Sequence, residues 1–141
     1  MYALALNQIA SGAEPRPGAV ELVGAIRAAG LPLAVASNSP RRHLLAGLRR
    51  TGLQDSFNVV LGVDEVTEPK PAPDLYLTAC ARLGIAPDQA VALEDSPPGV
   101  AAARAAGVRV IGIPSIEGVV LAADVLAGSL ADAGVYRALG L

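Results

Sequence analysis

The chain has 141 residues, of which 52% are hydrophobic and 17% are charged, and this balance excludes an intrinsically disordered chain. The length suits one domain with a real hydrophobic core and is too short for two domains of ordinary size. A formal net charge of −2 argues against nucleic acid or an anionic membrane surface as the main partner.

From residue 17 onward, glycine and proline divide the chain into alternating helical and apolar stretches. Apolar residues at helical spacing followed by glycine predict helices, and short continuous apolar runs predict strands that are buried on both faces. The predicted elements are a helix from Pro17 to Gly30, a strand at Leu33–Ala36, a helix from Pro40 to Gly52, a strand at Val59–Leu61, a helix from Pro73 to Gly84, a strand at 90–93, a helix at 98–106 and a strand at 108–113.

Strands that alternate with helices of about ten residues predict an α/β fold, in which a mostly parallel sheet carries helices on both faces. In such doubly wound sheets, ligands bind beyond the carboxyl ends of the strands. Two polar clusters, Ser37-Asn38-Ser39 and Glu94-Asp95-Ser96, follow predicted strands directly. The sequence therefore predicts a binding site where these two clusters meet.

Membrane and export signals are not evident in the sequence. Charged residues such as Arg109 and Asp124 interrupt the most apolar part of the chain, so no run reaches the ~18–20 residues that a spanning helix needs. Residues 1–13 lack the basic start of a signal peptide. The single cysteine, Cys80, excludes an internal disulfide and favours a reducing compartment, so we expect a cytoplasmic protein.

Three segments carry a family resemblance: LAVASNS, DEVTEPKPAPDLYL and ALEDSPPGVAAARAAGVRVIGIP. In this order and spacing they resemble the second, third and fourth motifs of the haloacid dehalogenase-like (HAD) hydrolases, in the form of the β-phosphoglucomutase and phosphoglycolate phosphatase branch. The resemblance spans roughly residues 17–114. It implies a phosphatase, or a phosphomutase, that transfers the phosphoryl group of a small phosphorylated metabolite through an aspartyl-phosphate with the help of Mg²⁺.

The resemblance assigns roles to five residues. It implies that Ser37 binds phosphate, that Asn38 binds the same phosphate or a substrate hydroxyl, and that Lys70 binds phosphate and acts in catalysis by neutralising charge. It implies that Glu94 and Asp95 hold Mg²⁺, for which carboxylate oxygens are suitable ligands. The structural alternatives are that Ser37 or Ser39 caps the next helix, that Lys70 is a solvated lysine, and that Asp95 caps the helix near Pro98.

Other polar residues carry weaker signals. Asp64 and Glu65 are expected to be solvated loop acids. His43 is expected on an exposed helix face, and Cys80 is expected to be a buried packing thiol.

The nucleophile of the family is missing from the sequence. The resemblance implies a first strand that ends in D-x-D, yet no D-x-D occurs in the 141 residues. That strand would lie between the strands that end at Ser37 and Glu94. We therefore predict two parts: residues 1–16 as the remnant of a cap helix with its return linker, and residues 17–141 as a HAD-like core domain, incomplete at its N-terminus because it lacks this strand.

Residues 1–7 could fill the resulting slot, because Tyr2, Leu4 and Leu6 alternate as in a strand, whereas Tyr2, Leu6 and Ile9 fit one helical face. We favour the helix. The slot would then be filled by an N-terminal segment absent from this sequence or by another copy of the chain. A catalytically inactive HAD-like module that binds phosphate or a protein is the alternative function.

Overall fold

The structure is a computed structural model that describes residues 3–6, 10–11, 14–114 and 118–141. Its strands and helices alternate along most of the chain. The elements are β1 (Ala3–Leu6), β2 (Ala10–Ser11), β3 (Glu14–Pro15), α1 (Ala19–Ala28), β4 (Leu33–Ala36), α2 (Arg41–Thr51), β5 (Val59–Leu61), α3 (Asp74–Leu83), β6 (Ala90–Glu94), α4 (Pro97–Ala105), β7 (Arg109–Gly112), β8 (Val125–Leu126) and α5 (Ala133–Ala138). Short 3₁₀ turns at Val63–Glu65 and Pro87–Gln89 complete them.

Six strands form one parallel sheet in the order β5-β4-β1-β6-β7-β8. β2 and β3 form a separate two-stranded antiparallel ribbon. The predicted α/β fold with a parallel sheet is confirmed, and the predicted elements between residues 17 and 113 lie within a few residues of their observed bounds.

Helices cover both faces of the sheet, as the fold class predicts. Alternate residues of each strand point to opposite faces, so β4 gives Ala34 and Ala36 to one core and Leu33 and Val35 to the other. The first core packs against α3 and α4, and the second packs against α1, α2 and α5. Because both faces of these strands are buried, their sequences are continuous apolar runs and do not alternate between apolar and polar residues.

The preferred helix for residues 1–7 is wrong. Ala3–Leu6 forms β1, which pairs in parallel with β4 on one side and with β6 on the other. Leu4 lies opposite Leu33, and Leu6 lies opposite Leu93. The physical reason is the slot itself, since a helix here would leave the backbone groups of β4 and β6 unpaired inside the sheet.

β1 closes the slot with residues of the same chain, so the sheet needs neither a neighbouring copy nor an additional segment at this position. Met1, Tyr2 and Asn7 of the disputed segment lie outside the described residues. The origin of residues 1–16 as a cap remnant and the oligomeric state of the chain remain predictions.

No helix in the described ranges is long and apolar enough to cross a bilayer.

Candidate functional site

The two polar clusters lie at the same edge of the sheet. Ser37 follows β4, and Glu94 and Asp95 lie at the end of β6, with β1 between the two strands. Ser37 and Glu94 are both buried. The sequence thus predicts correctly which loops meet here, because the carboxyl ends of parallel strands share one edge.

Lys70 links the two clusters. Its side chain is only 2% exposed, and its Nζ donates hydrogen bonds to the Ala36 carbonyl oxygen at 2.8 Å and to Glu94 Oε1 at 2.6 Å. The alternative of a solvated lysine is therefore wrong. Burial lowers the pKa of Lys70, and the nearby carboxylates of Glu94 and Asp95 offset part of this effect.

Asn38 fixes the backbone of Lys70. The Asn38 Oδ1 accepts a hydrogen bond from the Lys70 amide at 2.8 Å, and Asn38 Nδ2 donates one to the Lys70 carbonyl at 3.2 Å. Both polar ends of the Asn38 amide therefore hold the loop that presents Lys70. Direct contact between Asn38 and phosphate remains a prediction.

Ser37 does not cap the helix that follows it. Its Oγ accepts a hydrogen bond from the Ser39 amide at 3.1 Å, and the residue before α2 is Pro40, which provides no side-chain cap. The Ser37 amide donates to the Leu61 carbonyl and ties the end of β4 to β5. These contacts fix the turn in which a phosphate oxygen is predicted to bind, and that role of Ser37 remains a prediction.

Tyr76 on α3 is a site residue that the sequence reading missed. Its hydroxyl donates a short hydrogen bond to Glu94 Oε1, and Lys70 Nζ lies 4.7 Å from the centre of its ring. Tyr76 is almost completely buried. Burial, together with the negative charge of Glu94, raises the pKa of Tyr76 well above its ordinary value, so the phenol stays protonated and acts as a donor.

Gly99 provides the space that the Glu94 carboxylate occupies. A Cβ at Gly99 would lie 1.9 Å from Glu94 Oε2, far inside any allowed contact. The Glu94 side chain is therefore enclosed by Lys70 from the loop before α3, by Tyr76 from α3 and by Gly99 from α4. Repeated alanines around Gly99 in the sequence gave no sign of this requirement, because it comes from a contact between β6 and α4.

Asp95 faces a partner that the sequence reading did not consider. Arg16 Nη2 lies 3.2 Å from Asp95 Oδ2, and the two side chains are 25% and 9% exposed. The alternative role of Asp95 as a helix cap is wrong, because Ser96 caps α4 by accepting a hydrogen bond from the Gly99 amide.

The other polar residues considered in the sequence lie outside the contacts around Lys70. His43 is exposed on α2, and Cys80 is buried, as predicted. Asp64 Oδ1 accepts a hydrogen bond from the Arg41 amide, and Glu65 forms an ion pair with Arg82 at 2.8 Å. These two acids are therefore part of an ion-pair and turn network rather than of the Lys70 cluster, which comprises Lys70, Tyr76 and Glu94.

Comparison with known proteins supports the family resemblance. Residues 2–107 match the sequence model of the haloacid dehalogenase-like hydrolase family. Protein CbbY of Rhodobacter capsulatus is 44% identical over 102 residues, which cover 70% of this chain and 45% of that protein. Phosphoglycolate phosphatase of Rhodospirillum rubrum is 41% identical over 101 residues, which cover 72% of this chain and 42% of that protein.

A solved structure shows the same fold. CbbY from Rhodobacter sphaeroides in complex with phosphate superposes with a TM-score of 0.81 at 37% identity, over 86% of this chain and 56% of that one. Another crystal structure of that protein contains xylulose-1,5-bisphosphate. The chain thus spans about half the length of the relatives that it matches.

Proposed function

Because the chain belongs to the haloacid dehalogenase-like hydrolase family, we propose that it provides the phosphate-binding and metal-binding side of a phosphatase site for a small phosphate ester. The observation that supports this most strongly is the position of Lys70. Its ammonium is held between the ends of β4 and β6, against a buried carboxylate, where the sheet topology brings the two polar clusters together.

Lys70 neutralises the phosphoryl group in this proposal. A lysine ammonium has three N–H donors, and two of them go to the Ala36 carbonyl and to Glu94. The third is the donor that a phosphate oxygen would take. Because the ammonium is already oriented and shielded from water, its attraction for developing negative charge is stronger than that of an exposed lysine.

Ser37 and the backbone amide of Asn38 bind the phosphate oxygens. Ser37 directly follows β4 at the carboxyl edge of the sheet, and the next amides are already used, because Ser39 donates to Ser37 Oγ and Arg41 donates to Asp64. Asn38 acts through Lys70, because its side chain is bonded to both the backbone N–H and the backbone carbonyl of Lys70.

The carboxylates of Glu94 and Asp95 fit Mg²⁺ in donor chemistry. Both are oxygen ligands, both lie at the end of β6, and Mg²⁺ commonly takes one or two protein carboxylates and keeps several waters. No group of three or more His, Cys, Asp or Glu side chains gathers among the described residues. We therefore propose that Glu94 and Asp95 would hold Mg²⁺ weakly in this chain. When bound, the ion would supply charge neutralisation at the phosphoryl oxygens.

The step that forms an aspartyl-phosphate needs a residue that these 141 positions do not offer. The family resemblance implies a nucleophile in a D-x-D motif, and the sequence contains none. We propose that a complete enzyme of this type transfers the phosphoryl group to aspartate and then to water, whereas this chain binds phosphate without turnover.

The names of the relatives support a substrate class. One relative is named for phosphoglycolate, and a solved relative holds a sugar bisphosphate. We propose a small phosphorylated metabolite of this kind. The missing D-x-D also supports a second candidate, a catalytically inactive module that uses the same site to bind phosphate or a partner protein.

Ligand-dependent thermal stability tests the proposed site. A ligand that binds only the folded state raises the free energy of unfolding by mass action, by about 2.7 kcal/mol at a hundredfold excess over Kd. Inorganic phosphate should raise the melting temperature of the chain, and Ser37→Ala should lose this effect. Mg²⁺ should give a further rise that Asp95→Asn loses.

Asp124→Asn is the matched control for the metal arm, because the exposed Asp124 pairs with Arg104 at 3.3 Å, and asparagine keeps an oxygen that can accept the hydrogen bond from the Val110 amide. It should keep the responses to both ligands. Equal Mg²⁺ responses in Asp95→Asn and in the unsubstituted chain would overturn the metal assignment. Equal phosphate responses in Ser37→Ala and in the unsubstituted chain would overturn the phosphate assignment.

A further inference from the structure

Arg16 reaches the proposed metal site from a stiff connection. It lies between Pro15 and Pro17, in the segment that joins β3 to α1. Each proline fixes its own φ, and Pro17 also restricts the conformation of Arg16. The guanidinium is therefore brought to Asp95 with less loss of backbone entropy than an arginine in a free loop would require.

The two proposed metal ligands already have cationic partners in the described part of the chain. Glu94 pairs with Lys70 at 2.6 Å, and Asp95 pairs with Arg16 at 3.2 Å. A divalent cation that approaches this edge meets two carboxylates whose charge is balanced by two cations. Its binding must therefore compete with at least one of these ion pairs.

Arg16 is the cation that can leave. Lys70 is 2% exposed and is also bonded to the Ala36 carbonyl, so its displacement would leave a buried ammonium with one partner fewer. Arg16 is 25% exposed, and its side chain is long, so it can turn toward water when Asp95 takes another partner.

We propose that Arg16 is a built-in competitor of the divalent cation: it binds Asp95 when the metal is absent and gives way when the metal binds. This inference rests on the proposed metal site. By linkage, whatever draws the guanidinium away from Asp95 favours metal binding to the same extent as the metal favours release of the guanidinium.

Mg²⁺ titration by calorimetry on the 141-residue chain tests the proposal. Arg16→Gln keeps a polar side chain but removes the charge and the reach to Asp95, so its affinity for Mg²⁺ should be about three- to tenfold higher than that of the unsubstituted chain. Arg27→Gln is the matched control, because Arg27 is exposed in the last turn of α1. It should bind Mg²⁺ like the unsubstituted chain.

The competition is wrong if Arg16→Gln binds Mg²⁺ as tightly as the unsubstituted chain or more weakly. In that case the proposed metal site still stands, provided that Asp95→Asn removes Mg²⁺ binding. If none of the chains shows Mg²⁺ binding that Asp95→Asn removes, the metal site itself is wrong and the competition fails with it.

A measurement on the unsubstituted chain covers the case in which Arg16→Gln does not fold. The side-chain Nε–H resonance of Arg16 in a ¹⁵N spectrum should move toward that of a solvated arginine as Mg²⁺ saturates the site. An Arg16 resonance that stays in place while Mg²⁺ binds would overturn the proposal.

Discussion

The hydroxyl of Tyr76 provides the sharpest test of how the site is built. Tyr76→Phe removes one oxygen and keeps the ring that packs in the first core, below Lys70. The Glu94 carboxylate then loses the buried phenol donor and keeps the ammonium of Lys70.

The expected cost can be worked out from this contact. A hydrogen bond to a charged group contributes about 1.5–3 kcal/mol, and the buried Glu94 cannot replace the lost donor with bulk water. We take a loss of about 2 kcal/mol in the free energy of unfolding. With about 2.1 cal/mol/K of unfolding entropy per residue, a chain of 141 residues should then lose about 7 °C in melting temperature.

Thermal unfolding followed by circular dichroism measures this shift. Tyr136→Phe is the matched control, because Tyr136 is half-buried against the second core, and its hydroxyl has no hydrogen-bond partner within the described ranges. That substitution should stay within about 0.5 kcal/mol of the unsubstituted chain. If Tyr76→Phe lowers the melting temperature no more than Tyr136→Phe does, the phenol does not hold the Glu94 carboxylate.

The same variant tests how the stability contribution of Tyr76 depends on pH. The raised pKa of Tyr76 means that the folded state keeps the phenol proton at pH values where the unfolded chain releases it. The contribution of Tyr76 to stability is therefore complete below its unfolded pKa of about 10 and is lost as the pH rises further. The stability gap between Tyr76→Phe and the unsubstituted chain should narrow above about pH 10. The lowered pKa of Lys70 has the opposite effect, since it makes the folded state more stable as the pH rises. Lys70 is present in both chains, so the comparison between them isolates the effect of Tyr76.

Two further substitutions test the enclosure of Glu94 and the position of β1. Gly99→Ala should lower the free energy of unfolding by about 3 kcal/mol or more, because its Cβ must displace the buried Glu94 carboxylate. Gly24→Ala in α1 is the control: no atom lies within 4 Å of the added Cβ, so it should stabilise the chain by about 0.5–1 kcal/mol. Similar melting temperatures for the two variants would contradict the enclosure of Glu94. Ala5→Pro should cost about 1–3 kcal/mol for each backbone group left unpaired and should expose the amides of β4 and β6 to hydrogen exchange. Unchanged protection of those amides would show that β1 does not fill the slot.

The fold could be predicted from the sequence wherever the signals are local. Glycines after helices and apolar runs between them marked the elements between residues 17 and 113, because each helix and buried strand carries its own pattern. β1 was different, since both a strand and a helix fitted residues 1–7. The pairing partners decided between them, and those partners lie about 30 and 90 residues further along the chain.

The C-terminal elements β8 and α5 could not be predicted from sequence periodicity. β8 contains two residues and α5 contains six, so neither is long enough for a clear period. Their positions depend on contacts with β7 and with the second core.

The candidate site shows the same division. Ser37, Glu94 and Asp95 could be placed by the rule for parallel strands, and Lys70 was assigned through the family resemblance. Tyr76, Gly99 and Arg16 escaped notice because a tyrosine in a helix, a glycine near a helix start and an arginine between prolines have no local feature that predicts a partner. Their partners are set by how α3, α4 and the β3–α1 connection pack on the end of β6.

We propose that this chain binds phosphate beside the Lys70 cluster and lacks the nucleophile for turnover. One experiment tests both parts: ³¹P spectra of the chain mixed with phosphoglycolate and Mg²⁺, recorded over time. We expect the ester resonance to shift or broaden on binding, to keep its normal position with Ser37→Ala, and to show no growth of inorganic phosphate. Steady release of inorganic phosphate that Ser37→Ala abolishes would contradict the account, because another group would then serve as nucleophile. An ester resonance that the chain leaves unchanged would contradict the proposed binding site.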